Sequence, residues 1–303
     1  MGSVSAPTDS GLPFLKGHGT QNDFVIVPDP DGRLDLGPAV VARLCDRRAG
    51  IGGDGLLRVV RSAADPAAAH LAGEAEWFMD YRNSDGSIAE MCGNGVRVFA
   101  HYLVQAGLAK PGALAVATRA GVRQVRVAGP AADGTPGEVT VDMGRALLPG
   151  PDGIEVAVDD RVWPARNVNM GNPHAVAFVD SLDDAGNLYT APRTTPEGVY
   201  PDGVNVEFVV DRGPGHVAMR VHERGSGETR SCGTGACAVA VAAARRDGLD
   251  PAVTGEAVRY TVDVPGGRLV IEEFPDGRVE MTGPAEIVAS GTLDPAWLAG
   301  STA

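Results

Sequence analysis

The feature that most constrains this chain is a loose internal duplication. Met91-Cys92-Gly93-Asn94-Gly95 leads into Val96-Arg97-Val98-Phe99-Ala100, and Ser231-Cys232-Gly233-Thr234-Gly235 leads into Ala236-Cys237-Ala238-Val239-Ala240. Upstream elements recur in the same order. Gly50-Ile51-Gly52-Gly53-Asp54-Gly55-Leu56-Leu57 is echoed by Gly203-Val204-Asn205-Val206-Glu207-Phe208-Val209-Val210. A polar, glycine-bearing turn enters an apolar run twice, at 17–23 and again at 171–174, and nine residues before each cysteine stands a polar side chain, Asn83 or Glu223. A chain written twice in this way is expected to fold as two like halves.

The local patterns say what each half contains. β-branched runs bounded by Gly, Pro and Asp predict strands at 24–27, 56–60, 114–118, 122–127, 138–142, 176–179, 206–210, 217–222, 257–262 and 268–273. The clearest helices follow the cysteine motifs, at 95–106 and 235–246, and both are apolar around most of their circumference. A helix with no polar face belongs inside a sheet. The expected fold is α/β in content (α+β): two pseudo-symmetric halves, each a mostly antiparallel sheet wrapped around a central buried helix, with the active site in the cleft between them. The stretch 129–137, rich in Gly, Pro and Asp, is the candidate boundary. It divides 1–133, carrying Cys92, from 134–283, carrying Cys232, and the tail 284–303 is a candidate to return to the first half. A similar stretch at 148–153 reads as a turn inside the second half.

Composition narrows the partners. Lys plus Arg number 26 against 39 Asp plus Glu, a formal charge of −13, which disfavours nucleic acid or an anionic membrane surface. The first dozen residues lack the basic start and apolar run of a signal peptide, and no apolar stretch approaches the roughly 20 residues of a membrane span. A cytoplasmic protein with reduced cysteines is therefore expected. Its four cysteines, at 45, 92, 232 and 237, form no CxxC pair and no zinc-ligand spacing, so no metal is expected.

A free cysteine is ordinarily a small buried hydrophobe, and Cys45 and Cys237 keep that reading. Cys92 and Cys232 differ because each stands just before the first turn of a buried helix. There the positive end of the backbone dipole lowers a thiol pKa. The glycines that follow let a ligand approach the backbone, whose first-turn N–H groups can hold a carboxylate. One such motif alone favours the plain structural reading. Two copies in matching halves favour a pair of thiols flanking one cleft, where one removes an α-proton and the other returns a proton from the opposite face. A single-cysteine hydrolase would leave the duplication unexplained. Pyridoxal phosphate is the usual electron sink for such carbanions, but Lys16 and Lys110 lie in no motif suited to a Schiff base, so cofactor-free chemistry is expected.

These motifs resemble an ordered set found in the diaminopimelate epimerases. The set comprises His18-Gly19-Thr20-Gln21-Asn22-Asp23-Phe24, Gly50 through Gly55, Asn83-Ser84-Asp85-Gly86-Ser87 with the Cys92 motif, Gly171-Asn172-Pro173-His174, Gly203-Val204-Asn205, and Glu223 through Thr229 with the Cys232 motif. Met281-Thr282-Gly283-Pro284-Ala285 extends the likeness over nearly the whole chain. The resemblance implies reversible conversion of LL- to meso-diaminopimelate, in lysine and peptidoglycan-precursor biosynthesis, by a homodimer. Cys92 and Cys232 would be the acid/base thiols. Gly93, Asn94, Gly233 and Thr234 would hold the reacting carboxylate through backbone N–H groups. Asn22, Asn83, Asn172, Asn205 and Arg224 would fix the distal amino-acid end, and Glu223 would share in that or sit near a thiol with His174. The residue types suit the task, since a second ammonium and carboxylate need neutral acceptors, a cation and an anion. Each asparagine alone is equally a turn former, and His174 alone is a hydrogen-bonded structural histidine. Gly55 departs from the glutamine frequent in the family, and the Asn83 loop is shorter than in some members. Two other readings stay open: a proline racemase-like enzyme with a smaller substrate, and a non-catalytic amino-acid-binding relative. Isomerases of the phenazine-biosynthesis type share the implied architecture but lack the thiol pair.

Overall fold

The computed structural model describes residues 11–134, 137–150 and 153–300. Residues 135–136 and 151–152, within the two Gly/Pro-rich stretches singled out above, lie outside it, as does most of the segment before Leu15. The described residues fall into two compact units, one drawn from 11–19, 23–139 and 285–300, the other from 20–22 and 140–284.

In chain order the first unit holds β1 (Leu12–Gly19), β2 (Asn22–Pro28), α1 (Pro38–Cys45), β3 (Gly55–Arg61), β4 (Trp77–Asn83), α2 (Gly93–Gln105), β5 (Gly112–Thr118) and β6 (Gly121–Val127). The second holds β7 (Val139–Arg145), β8 (Ile154–Val158), β9 (Arg161–Asn169), β10 (Pro173–Phe178), β11 (Arg193–Thr195), β12 (Asn205–Gly213), β13 (His216–Glu223) and β14 (Gly227–Thr229). It continues with α3 (Gly233–Arg246), α4 (Pro251–Thr254), β15 (Val258–Val264), β16 (Gly267–Glu273) and β17 (Arg278–Gly283). β18 (Glu286–Leu293) and α5 (Pro295–Ala299) complete the first unit.

The duplication is explicit in the strand pairing. In the first unit β18 pairs antiparallel with β1, and β1 pairs with β2; β2–β3 is parallel, β3–β4 antiparallel, β4–β5 parallel and β5–β6 antiparallel. In the second, β8–β9 and β9–β10 are antiparallel, β10–β12 parallel, β12–β13 antiparallel, β13–β15 parallel and β15–β16 antiparallel. The register fixes which residues correspond. Phe24 lies opposite Gly55 as His174 lies opposite Asn205, and Ile26 faces Leu57 as Val176 faces Glu207. Gly55 is therefore the counterpart of Asn205. The motif alignment read from the sequence had put Gly52 there, and the strand register corrects it.

Each sheet wraps its own helix. α2 packs on β1, β3, β4, β5, β6 and β18, and α3 on β9, β10, β12, β13, β15, β16 and β17. The two helices share punctuation at both ends. Cys92 and Cys232 are the N-caps, each in extended backbone with Sγ accepting the N–H of the third helical residue. Past the C-terminus, Gly107 and Gly248 take positive φ. Leu108 and Leu249 then donate back to Leu103 and Ala244, closing a Schellman turn that uses up otherwise orphaned carbonyls. Every α3 residue from Ala236 to Ala244 is buried, and all but one of them are Ala or Val. Small side chains on all faces are what let a sheet close around a helix.

That packing makes a prediction. Ala243 is fully buried, so Ala243→Leu should lower stability by about 1–3 kcal/mol through overpacking. Urea denaturation would register this as a lower midpoint at unchanged slope; an unchanged midpoint would mean that the sheet leaves room around α3.

Candidate active site

In the first unit, the Cys92 thiol is partly exposed and its Sγ lies 3.4 Å from the Gly95 nitrogen. What lies under this helix start is apolar. A Cβ placed on Gly95 would meet Leu57 Cδ2 at 3.3 Å and Phe24 Cζ at 3.6 Å. Phe24 in turn packs edge-on against Tyr81, with ring centroids 6.0 Å apart. Asn83 ends β4 and starts a tight turn; its Nδ2 donates to Ser87 Oγ at 2.9 Å, and its backbone pairs with Ser87 and Gly86. The turn-forming role is thus real for Asn83, alongside any contact with a ligand. Gly55 leaves no room for a side chain, because a Cβ there would lie 2.5 Å from the Arg82 carbonyl oxygen and 2.7 Å from Tyr81 Cε2. The family's frequent glutamine could not be placed on this backbone without displacing Tyr81.

In the second unit, the Cys232 Sγ also sits 3.4 Å from the third helical nitrogen, that of Gly235, and 3.6 Å from Thr234 Oγ1. Its cap uses the N–H groups of Gly235 and Ala236 rather than those of Gly233 and Thr234. Here the floor is charged. A Cβ on Gly235 would meet Glu207 Oε1 at 2.8 Å, at the position held by Leu57 in the first unit. His174, the counterpart of Phe24, is fully buried, with Nδ1 2.6 Å from Glu207 Oε1 and Nε2 3.1 Å from Asn172 Oδ1. The Asn172 amide nitrogen donates to Thr234 Oγ1 at 3.3 Å. Glu223 accepts a short hydrogen bond from Thr229 Oγ1 and also hydrogen-bonds the Cys232 side chain.

The electrostatics of Cys232 correct the expectation of a lowered pKa. Burial pushes the thiol well above its ordinary range, with the carboxylates of Glu223 and Glu207 adding to the rise; the Thr234 hydroxyl and the Gly235 N–H oppose it and lose. A helix start stabilises a thiolate by local hydrogen bonds and partial charges, whereas complete burial removes the whole hydration of the charge. Glu223 is raised as well, again chiefly by burial. Cys45, 4% exposed at the end of α1, is pushed to about 11 by burial, as suits an inert core thiol, and Cys237 is fully buried within α3.

The remaining residues named from sequence fall into place around the second helix start. Asn205 Oδ1 accepts the Arg224 backbone N–H at 2.9 Å, which ties the Glu223–Arg224 turn to the start of β12. The exposed Arg224 side chain donates to the Asp202 carbonyl at 3.1 Å. Asn22 belongs with Thr20 and Gln21, a turn grouped with the second unit, where Thr20 Oγ1 lies 2.6 Å from Ser231 Oγ. Gly93 and Asn94 are buried in the first turn of α2. The sequence reading missed Glu207. The available signal was a lone acid inside the apolar run from Val206 to Val210; the motif alignment set it opposite Asp54, and only the strand register sets it opposite Leu57.

Comparison with known proteins follows this geometry. The sequence profile of the family described as diaminopimelate epimerase matches residues 14–148 and 166–288. A protein named diaminopimelate epimerase from Streptomyces coelicolor is 73% identical over 289 residues, covering 95% of this chain and 98% of its own length. Another of that name from Thermobifida fusca is 50% identical over 284 residues, covering 92% and 97%. Among solved structures, a phenazine biosynthesis protein from Bacillus anthracis aligns with a TM-score of 0.66 at 16% identity, over 93% of this chain and 99% of that one. A hydroxyproline epimerase from Agrobacterium vitis aligns with a TM-score of 0.64 at 14% identity, over 96% and 95%. At such identities these two establish the fold alone.

The charged floor yields a test that needs no substrate. Since Glu223 raises the Cys232 thiol, Glu223→Gln should move the pH profile of Cys232 alkylation by iodoacetamide toward lower pH, read by peptide mass spectrometry. A profile displaced to higher pH would show that the Glu223 hydrogen bond outweighs its charge.

Proposed function

The chain belongs to the diaminopimelate epimerase family, and from that premise we propose that it interconverts LL- and meso-diaminopimelate by two-base proton transfer between Cys92 and Cys232. The observation that carries the reading is the matched pair of thiol caps: each cysteine heads a sheet-enclosed helix, with its sulfur 3.4 Å from a first-turn nitrogen. The chemistry needs the two sulfurs on opposite faces of one α-carbon. One takes the α-proton as a thiolate while the other gives its proton as a thiol, so each turnover exchanges their roles. Cys232, with its titration pushed upward, holds its proton at neutral pH and enters as the acid; Cys92 is then the base of that turn.

An α-proton of an amino acid is weakly acidic because the carbanion places charge on the carboxylate. Backbone N–H groups of Gly93, Asn94, Gly233 and Thr234 are assigned to that carboxylate, where preorganised donors lower the barrier as charge builds. This electrostatic support takes over the task of an electron-sink cofactor. Asn22, Asn83, Asn172, Asn205, Glu223 and Arg224 are assigned to the distal ammonium and carboxylate, with His174 in a supporting place. Arg224 suits a two-pronged grip on carboxylate and, being exposed, is free to swing from the Asp202 carbonyl. The homodimer, the cytoplasmic location and the place in lysine and peptidoglycan-precursor synthesis belong to this same reading. No helix among the described residues is long and apolar enough to cross a membrane.

The reduced protein should convert LL-diaminopimelate to the meso isomer without added pyridoxal phosphate. Cys92→Ala and Cys232→Ala should each lower kcat by about 10²–10⁴-fold, the range of a lost general acid or base. Chiral chromatography of the product checks this; full activity in either alanine variant would remove that thiol from the mechanism.

A further inference from the structure

Glu207 is the one buried acid beneath a helix start that the proposed chemistry leaves unused. It is fully buried, and its second oxygen, Oε2, has no hydrogen-bond partner among the described residues. Burying a carboxylate is strongly unfavourable unless the arrangement compensates. The other unit serves as an internal control: Leu57 and Phe24 fill the equivalent places under Gly95, and α2 forms with the same cap and the same Schellman end. The fold therefore does not require an ion here, which directs attention to what the charge does for Cys232.

The hydrogen bonds form a single chain with a direction. A carboxylate can only accept, so His174 donates from Nδ1 to Glu207 Oε1 at 2.6 Å. The Asn172 amide nitrogen faces Thr234 Oγ1 at 3.3 Å, which turns Asn172 Oδ1 toward His174 Nε2 at 3.1 Å. Thr234 Oγ1 already accepts from Asn172, so its own hydrogen points on to the Cys232 sulfur, 3.6 Å away. We propose that Glu207 is a positioning residue for Cys232: by holding the His174 ring through Nδ1, it sets the ring against Asn172, orients the Asn172 amide and leaves the Thr234 hydroxyl to donate to the sulfur. This rests on the reading of Cys232 as an acid/base thiol and deepens it.

Without the Glu207 anchor the His174 ring and the Asn172 amide can turn. An Asn172 amide turned end for end would accept from Thr234 through Oδ1, and the sulfur would keep only the Gly235 N–H as donor. The other groups facing this cluster are Glu223 from β13, which interacts with Cys232, Glu207 and His174, and the buried Tyr200 hydroxyl, which burial and then Glu207 push up to about 12. Neither lies in the chain from Glu207 to Thr234.

The test is iodoacetamide alkylation of the reduced, full-length protein without substrate, at fixed mildly alkaline pH, with the Cys232 and Cys92 peptides quantified by mass spectrometry. Glu207→Gln should slow alkylation of Cys232 about tenfold, the scale of one hydrogen bond to a charged group, and leave Cys92 unchanged. Thr234→Val should give a similar slowing, and the double variant no more than Thr234→Val alone, because both act through one chain. Cys232 alkylated at the original rate or faster in Glu207→Gln would overturn the proposal, since faster is what simple removal of a nearby negative charge gives. The measurement does not use turnover, so failure of the epimerase reading would show in the product assay and not here.

Discussion

A cysteine sulfur capping a helix that is enclosed by sheet is the interaction on which the rest of this molecule depends. The cap places the thiol at the one end of the helix that can be approached, because every other face of α2 and α3 is packed against strands. It also consumes only the third helical N–H, through Sγ, and the fourth, through the cysteine carbonyl. Glycine at that third position, Gly95 or Gly235, is needed because the helix start lies directly on a strand side chain, Leu57 in one case and Glu207 in the other. The enclosing sheet follows from the same demand. A helix of Ala and Val has no face to offer water, so strands must surround it.

On this common plan the two units diverge at one layer. Beneath Cys92 lie Phe24 and Leu57; beneath Cys232 lie His174 and Glu207, with Glu223 at the side. The strand register makes these substitutions one for one, so the duplication supplies its own comparison. The apolar pair costs nothing to bury. The polar pair costs desolvation, offset in part by the hydrogen bonds that join Glu207 to His174 and His174 to Asn172; burial first, then the charges of Glu223 and Glu207, push Cys232 upward. The two capping thiols thus sit in unlike surroundings.

Much of this was legible in the sequence, for identifiable reasons. The helices at 93–105 and 233–246 declared themselves because a buried helix has an unbroken apolar signature after a glycine-rich start. Most of the strands read as β-branched runs were present with ends displaced by a few residues. β4 was missed because Trp77–Asn83 breaks its apolar run with Asp80 and Arg82: Asp80, 1% exposed, is buried against Arg58, Arg82 and Arg119. Of these partners only Arg82 lies close by in sequence. β1, β8, β9, β11, β14, β17 and β18 were also passed over, the last bearing exposed polar and small residues along most of its length. The cysteine motifs stood out because they occur twice. Glu207 did not, because a single acid in an apolar run is not repeated in the other half, and the upward push on Cys232 follows from burial that no spacing reveals.

The central claim is that two thiols, not one, handle the proton. The most direct measurement starts from pure LL-diaminopimelate in deuterium oxide and follows the isotope in both stereoisomers at early times. The account predicts that meso product appears with deuterium at the inverted α-carbon while unreacted LL substrate keeps its protium, because the thiol that delivers is not the thiol that removed the proton. Early meso product that retains the original protium would contradict it, since a single base would then be carrying one proton across both faces.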